Sequence, residues 1–354
     1  MRVTRIGYAL GVAAAVAVFA GCSGNGSSLS SVAPAPGAGG QSIVRTHNAM
    51  LQPVQFVRGM MAPRNVSVGK TWQGAAPDAA GTYITACEFF GSVCNLYKQN
   101  HNTVVGSIAV TNPNDLCTDK AGNVWIPDAG TQDTVEYAHG STAPIKSLSG
   151  SGVQPSSCAV DANGTVYVGN IVDDSINVYA GGSTTPTSQL IVNSAFAGGS
   201  KGTGYVGNLA IDEHHNLAAS WVDFNTGAAG VDEFTHAKQA HEHTVLNSVN
   251  ISGVRFDSAE HIVYTDLGTN MWNVWNGTSV CDSQIATASG GLGLFSAINK
   301  PNTKIYTADV ILGQVTQESF ADCTGGGTIQ FEYNAGLAGS QEVEGVAVSP
   351  ATTN

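Results

Sequence analysis

Residues 116–144 read LCTDKAGNVWIPDAGTQDTVEYAHGSTAP, and residues 158–186 read CAVDANGTVYVGNIVDDSINVYAGGSTTP. A shift of 42 positions superposes Asp119 on Asp161, Gly122 on Gly164, Trp125 on Tyr167, Tyr137 on Tyr179 and Pro144 on Pro186. A repeat of that length is one supersecondary unit, so the fold follows from the period. Within the unit, an apolar strand leads into Asp, a polar turn follows, a second strand ends in Asp or Asn, and a third carries an aromatic.

Outward from this pair the same lead strand recurs at residues 209–212, 254–257, 296–299 and 346–349. Counted from Asp119 through Asp161, Asp212, Asp257, Asn299 and Ser349, the spacings are 42, 51, 45, 42 and 50. Those values suit a four-stranded propeller blade. Short strands with turns every eight to twelve residues leave barrel and sandwich as the other all-β architectures. The last lead strand has no room after it for a second strand, and the strands at 82–86 and 93–97 have no lead strand before them. Both deficits disappear if the C-terminal strand completes the N-terminal blade. The reading is therefore all-β: a six-bladed β-propeller over residues 80–354, closed by that splice. Closure also removes sheet edges that would invite aggregation.

Composition bounds the rest. At 42% hydrophobic and 11% charged the chain is too apolar for a disordered one. Fourteen Lys+Arg against 26 Asp+Glu, with no basic stripe, argues against nucleic acid. Arg2 and Arg5 precede an apolar stretch, residues 6–20, that is short for a membrane span, which takes roughly 20 residues. This reads as an export signal, residues 1–21. Residues 22–40 are a Gly/Ser/Pro/Ala-rich tether, and residues 41–79 read as mostly irregular, interrupted by Pro53. Trp125, Trp221, Trp272 and Trp275 fall at strand positions, where packing between blades is the expected role.

Two stretches resemble known families. Phe19-Ala20-Gly21-Cys22 resembles a bacterial lipoprotein signal, which implies that Cys22 is lipidated, with palmitate among its acyl chains. The rival reading is a plain secretory signal. The resemblance implies an exported protein anchored to a bacterial membrane, and Ser23 after the cysteine resembles the outer-membrane sorting pattern of diderm bacteria. Residues 158–170 resemble an NHL-type repeat, and residues 177–186 the third strand and turn of bacterial relatives. The resemblance fades toward the C-terminus, where Ala259-Glu260-His261 and Lys300-Pro301-Asn302 replace the Asn-Gly turn. Gluconolactonase- and streptogramin-lyase-type propellers share the architecture, so those activities must be tested at the site.

Six cysteines remain besides Cys22, an even number in an exported chain. Cys87 and Cys94 suit a bridge across a short hairpin. Cys117 with Cys158 and Cys281 with Cys323 depend on Cα separations that a sequence does not show.

Three constellations could carry chemistry. Residues four or five before each repeat Asp should form a ring at the channel mouth: Asn114, Asp115, Ser156, Ser157, Asn208, Ser252, Phe295 and Glu344. Oxygen ligands converging there would suit Ca²⁺ or another divalent cation. Gluconolactonase-type propellers resemble this, with Glu344, Asn208 and Asp115 or Asn114 as the matching set; the alternative is a solvated polar rim. The second constellation is His214, His215, His236, His241 and His243, five of nine histidines in one blade. They could bind Zn²⁺, Ni²⁺ or Cu²⁺, or decorate an exposed turn. The third is Asp128, Asn170, Asp223, Asp266 and Asp309, whose repetition favours turn structure over a ligand ring. Matches to a nucleophile elbow at residues 198–202 and a dinucleotide fingerprint at residues 202–207 lack the strand–helix context each needs.

No catalytic residue is assigned. The leading expectation is a lipid-anchored exported binding or scaffold module, monomeric, with an unidentified protein or small-molecule ligand. The alternative is a metal-dependent hydrolase or lyase, lactonase-like, with its site at the channel mouth.

Overall fold

Strand pairing in the computed structural model follows the repeat. The model describes residues 81–89, 92–149, 154–171, 174–192, 204–223, 228–248, 251–287, 290–324, 327–337 and 343–349. The signal, Cys22 and the tether lie outside them. No helix among the described residues is long and apolar enough to cross a membrane.

Strands β1 (Tyr83–Glu88), β2 (Val93–Lys98) and β3 (Val104–Ala109) begin blade 1. Blade 2 holds β4 (Cys117–Thr118), β5 (Val124–Asp128), β6 (Asp133–Tyr137) and β7 (Pro144–Leu148), and blade 3 holds β8 (Pro155–Val160), β9 (Val166–Asn170), β10 (Ser175–Tyr179) and β11 (Ser188–Ile191). Blade 4 comprises β12 (Gly204–Ile211), β13 (Leu217–Asp223), β14 (Ala229–Phe234) and β15 (Glu242–Ser248). Blade 5 comprises β16 (Ile251–Phe256), β17 (Ile262–Asp266), β18 (Met271–Trp275) and β19 (Val280–Ile285). Blade 6 comprises β20 (Gly293–Ile298), β21 (Lys304–Asp309), β22 (Gln314–Ser319) and β23 (Ile329–Tyr333). The last strand, β24 (Val343–Ser349), pairs antiparallel with β1 and becomes the innermost strand of blade 1. Six four-stranded blades closed by a terminal splice make the expected six-bladed propeller. Residues 204–207, part of the stretch that matches a dinucleotide fingerprint, belong to β12.

Among the described residues the apolar core is divided into separate layers. Each neighbouring pair of blades shares its own apolar layer, as where Tyr167 and Ile176 of blade 3 meet Leu209 and Trp221 of blade 4. Trp125 lies between blades 2 and 3 and Trp272 between blades 5 and 6, while Trp275 packs at the layer between blades 4 and 5. A strand buried on both faces needs apolar side chains on both, which is why the inner strands read as continuous apolar runs rather than alternating ones.

One turn recurs where the inner strand meets the second. Asp119 Oδ1 accepts the backbone N–H of Ala121 and Asn123, both at 2.9 Å. Asp161, Asp212 and Asp257 repeat the arrangement on the residues two and four further on, and Asn299 accepts from Thr303 N. The residue three after the Asp is left-handed in every case: Gly122 at φ 84°, Gly164 at 78°, His215 at 64°, Glu260 at 63° and Asn302 at 56°. The turn thus survives the loss of its glycine. The second-strand acids are structural too: Asp128 accepts four backbone N–H groups, and Asp309 those of Leu292, Ile311 and Leu312.

All three cysteine pairs are disulfides. Cys87–Cys94 joins directly opposed residues of β1 and β2, Cys117–Cys158 joins the inner strands of blades 2 and 3, and Cys281–Cys323 joins β19 to the turn after β22.

A buried polar cluster on the ring axis

The ring residues are brought to the axis by bulges. Each of the inner strands β8, β12, β16, β20 and β24 slips register against its neighbour at or beside the expected ring position, leaving Ser156, Gly207, Ser252–Gly253, Leu294–Phe295 and Glu344 without a ladder partner. In blade 2 the strand is interrupted instead, so Asn114 and Asp115 fall between an isolated bridge at Pro113 and β4. A bulge bends its strand and re-aims the side chain, here inward. Gly345 allows the close approach on one side: a Cβ there would collide with the Asn114 carbonyl.

The solvated rim entertained from sequence does not exist, because these side chains are buried. Asn114, Asp115, Ser156, Ser157, Asn208 and Glu344 are all 0% exposed. Ser156 Oγ donates to the Val206 carbonyl at 2.5 Å and Ser252 Oγ to that of Leu294 at 2.8 Å, stitching each blade to the next.

At the centre is a residue that the ring rule missed. Arg255 of β16 reaches from blade 5 to blade 2, opposite it in the ring order, where Nη2 meets Asp115 Oδ1 and Oδ2 at 2.9 and 2.8 Å. The same nitrogen donates to the Leu116 carbonyl, and Nη1 donates to the carbonyls of Val254 and Leu209 and to Asn208 Oδ1. Asn208 donates in turn to Asp115 Oδ2 and accepts Val254 N–H at 2.8 Å. Arg255 lies two residues before its repeat Asp, not four or five. The one signal for it was a charged residue in an otherwise apolar lead strand.

Burial pushes the Asp115 carboxyl up to about 6, although Arg255 and its hydrogen bonds pull the other way. Tyr205, also on β12, is raised by burial and then by Glu344 and Asp115, which puts both carboxylates in its electrostatic neighbourhood. The Asn114 amide is buried with no hydrogen-bond partner on either atom. Of the expected metal set, Asp115 and Asn208 are in contact. Their oxygens face a guanidinium whose N–H groups are spent on six acceptor atoms, and a divalent cation does not fit beside it.

The five histidines do not converge. His214 Nδ1 pairs with Glu260, His215 Nδ1 is 3.4 Å from Asp161 Oδ2 in blade 3, and His236 Nδ1 contacts the His214 carbonyl at 3.1 Å. His243 Nδ1 is 3.4 Å from the His241 carbonyl. Among the described residues, His214 alone of the five enters a cluster with ligand spacing, together with Asp212 and Glu260. A second such cluster, His261, Asp322 and Cys323, was not anticipated.

No family model and no curated protein sequence matches the chain. Solved structures do. A chain of the nidogen/laminin complex is similar at a TM-score of 0.58 and 13% identity, covering 77% of this chain and 100% of that one. A protein of unknown function from Bacteroides caccae is similar at 0.56 and 10% identity, with the same coverage. At such identities the likeness establishes the fold alone.

Proposed function

We propose that this protein is an exported, lipid-anchored propeller that works as a binding or scaffold module without catalysis. The propeller fold is consistent with such a module, and the observation that supports the reading most is the buried cluster of Arg255, Asp115 and Asn208. A guanidinium whose hydrogen bonds are saturated by buried acceptors cannot also polarise a substrate, and Asp115 is fully buried and held by two donors. Ligands would then be met by the turns and outer strands, which differ from blade to blade. Three disulfides support an oxidising compartment, and Cys22 is the proposed lipid site.

Two measurements test this. Labelled palmitate fed to expressing cells is expected in the full chain and absent from Cys22→Ser; a labelled Cys22→Ser protein overturns the anchor. In purified, tag-free full chain, millimolar Ca²⁺ is expected to leave the melting temperature unchanged. A rise of several degrees that Glu344→Gln abolishes would overturn the binding-module reading in favour of the metal-dependent, lactonase-like hydrolase.

A further inference from the structure

The recurring turn provides its own controls. In blades 2 and 4 the residue four after the repeat Asp is asparagine, and its amide completes the aspartate's second oxygen: Asn123 Nδ2 donates to Asp119 Oδ2 at 2.9 Å and Asn216 Nδ2 to Asp212 Oδ2 at 2.8 Å. In blade 5 that residue is His261. Asp257 Oδ1 keeps its turn bonds to Ala259 N and His261 N, but Oδ2 is buried with no hydrogen-bond partner, on a residue 0% exposed.

What faces this oxygen is metal-ligand chemistry. His261 Nδ1 lies 3.3 Å from Asp257 Oδ2 and 2.7 Å from Asp322 Oδ1, which arrives from blade 6. An imidazole nitrogen carries at most one hydrogen, and Asp322 is placed to take it. A protonated histidine between two carboxylates therefore leaves Asp257 Oδ2 with an ion-pair contact but no hydrogen bond of its own. The 3.3 Å from Nδ1 to Asp257 Oδ2 equals the edge of a tetrahedron with bonds of about 2.0 Å, and the 2.7 Å to Asp322 Oδ1 is somewhat shorter. His261 and Asp322 are 25% and 24% exposed, so an ion has a way in. The Cys281–Cys323 disulfide ties the turn carrying Asp322 to blade 5, which holds this ligand in place beforehand. Cys323 Sγ, 3.8 Å from the same nitrogen, is taken up by that bond and leaves the fourth position to water. The rival cluster of Asp212, His214 and Glu260 lacks such an orphan, because Asn216 already satisfies Asp212.

We propose that Asp257, His261 and Asp322 form a binding site for a divalent first-row transition ion between blades 5 and 6. One imidazole and two carboxylates suit Zn²⁺, and the partly exposed fourth position makes the ion exchangeable.

The test is equilibrium dialysis of tag-free full chain, in detergent and stripped with chelator, against Zn²⁺. One ion per chain is expected. His261→Asn restores the blade 2 and blade 4 arrangement, so it should fold, keep its melting temperature within a few degrees and lose affinity by about 100-fold. Asp322→Asn, which spares the turn, should lose at least about tenfold. Absence of saturable binding overturns the proposal. So does wild-type affinity in either variant, or loss of binding in His241→Ala/His243→Ala, which would move the site to blade 4.

Discussion

Blades 2 and 5 stand opposite each other in the ring and share one plan, yet they treat it differently. Blade 2 obeys the repeat, with Gly122 at the left-handed position and Asn123 closing the turn on Asp119. Blade 5 keeps the backbone path but puts Glu260 and His261 in those places, and sends Arg255 across the axis to blade 2. The repeat fixes hydrogen-bond geometry, and side chains free of that duty become available for links between blades. The clasp near the third strand makes the same point. Two residues after its aromatic, blade 2 carries His139, whose Nδ1 meets Ser349 Oγ of blade 1 at 2.5 Å, whereas blade 6 carries Asp322, which meets His261 of blade 5.

The strongest way to break the comparison is at the axis. Arg255→Ala strands Asp115 in the interior, and urea denaturation should register a loss of about 3–5 kcal/mol. Arg255→Met combined with Asp115→Leu should recover most of it; a single variant within 1 kcal/mol of wild type would show that Arg255 does not join the two blades.

A second contrast concerns tryptophans. Trp125 of blade 2 keeps a buried Nε1 without a partner, while Trp272 of blade 5 donates to Glu318 Oε2 of blade 6 at 3.1 Å. Burial raises Glu318 to about 7, outweighing that bond. The folded protein therefore holds this proton more tightly than the unfolded chain, whose glutamate titrates near 4.3. The stabilising difference is present at low pH, is lost as pH rises between about 4.3 and about 7, and stays lost above. Glu318→Gln should match wild type near pH 4 and exceed it by up to about 3 kcal/mol at pH 8. Equal stability of the two proteins at pH 8 would exclude a buried charge there.

The smallest effects sharpen the contrast at the turn itself. Gly122→Ala places a Cβ 2.9 Å from Ser349 Oγ at a φ of 84° and should cost about 1–2 kcal/mol. Glu260→Gly relieves the same backbone strain in blade 5 and should gain about 1 kcal/mol, since its exposed contact with His214 contributes little. A loss in Glu260→Gly would mean that the glutamate does more than fill a position.

The architecture was legible because turn chemistry and apolar runs recur locally. All six lead strands are inner strands, and Asn114, Asp115, Ser156, Ser157, Asn208 and Glu344, on or just before them, are buried. Two things were hidden. Register slips decide which side chains turn inward, and a bulge leaves no trace in a run such as Gly207-Asn208-Leu209. Contacts between blades bring together residues as remote as Asp115 and Arg255, or His261 and Asp322, and no local pattern encodes a pairing across 140 or 61 positions. The histidine blade misled for the complementary reason: closeness in sequence, without knowledge of where each ring points, exaggerated convergence.

The strand that completes blade 1 has a temporal meaning. During synthesis β1 emerges early and waits, its inner edge bare, until residues 343–349 arrive, so the earliest blade is the last to be finished. Such distant pairing is slow, and the waiting edge is prone to aggregate. A nascent chain cannot shut the ring before its last strand is free to pair with β1. The final strand thereby acts as a timer, delaying closure of blade 1 until residues 343–349 have been made.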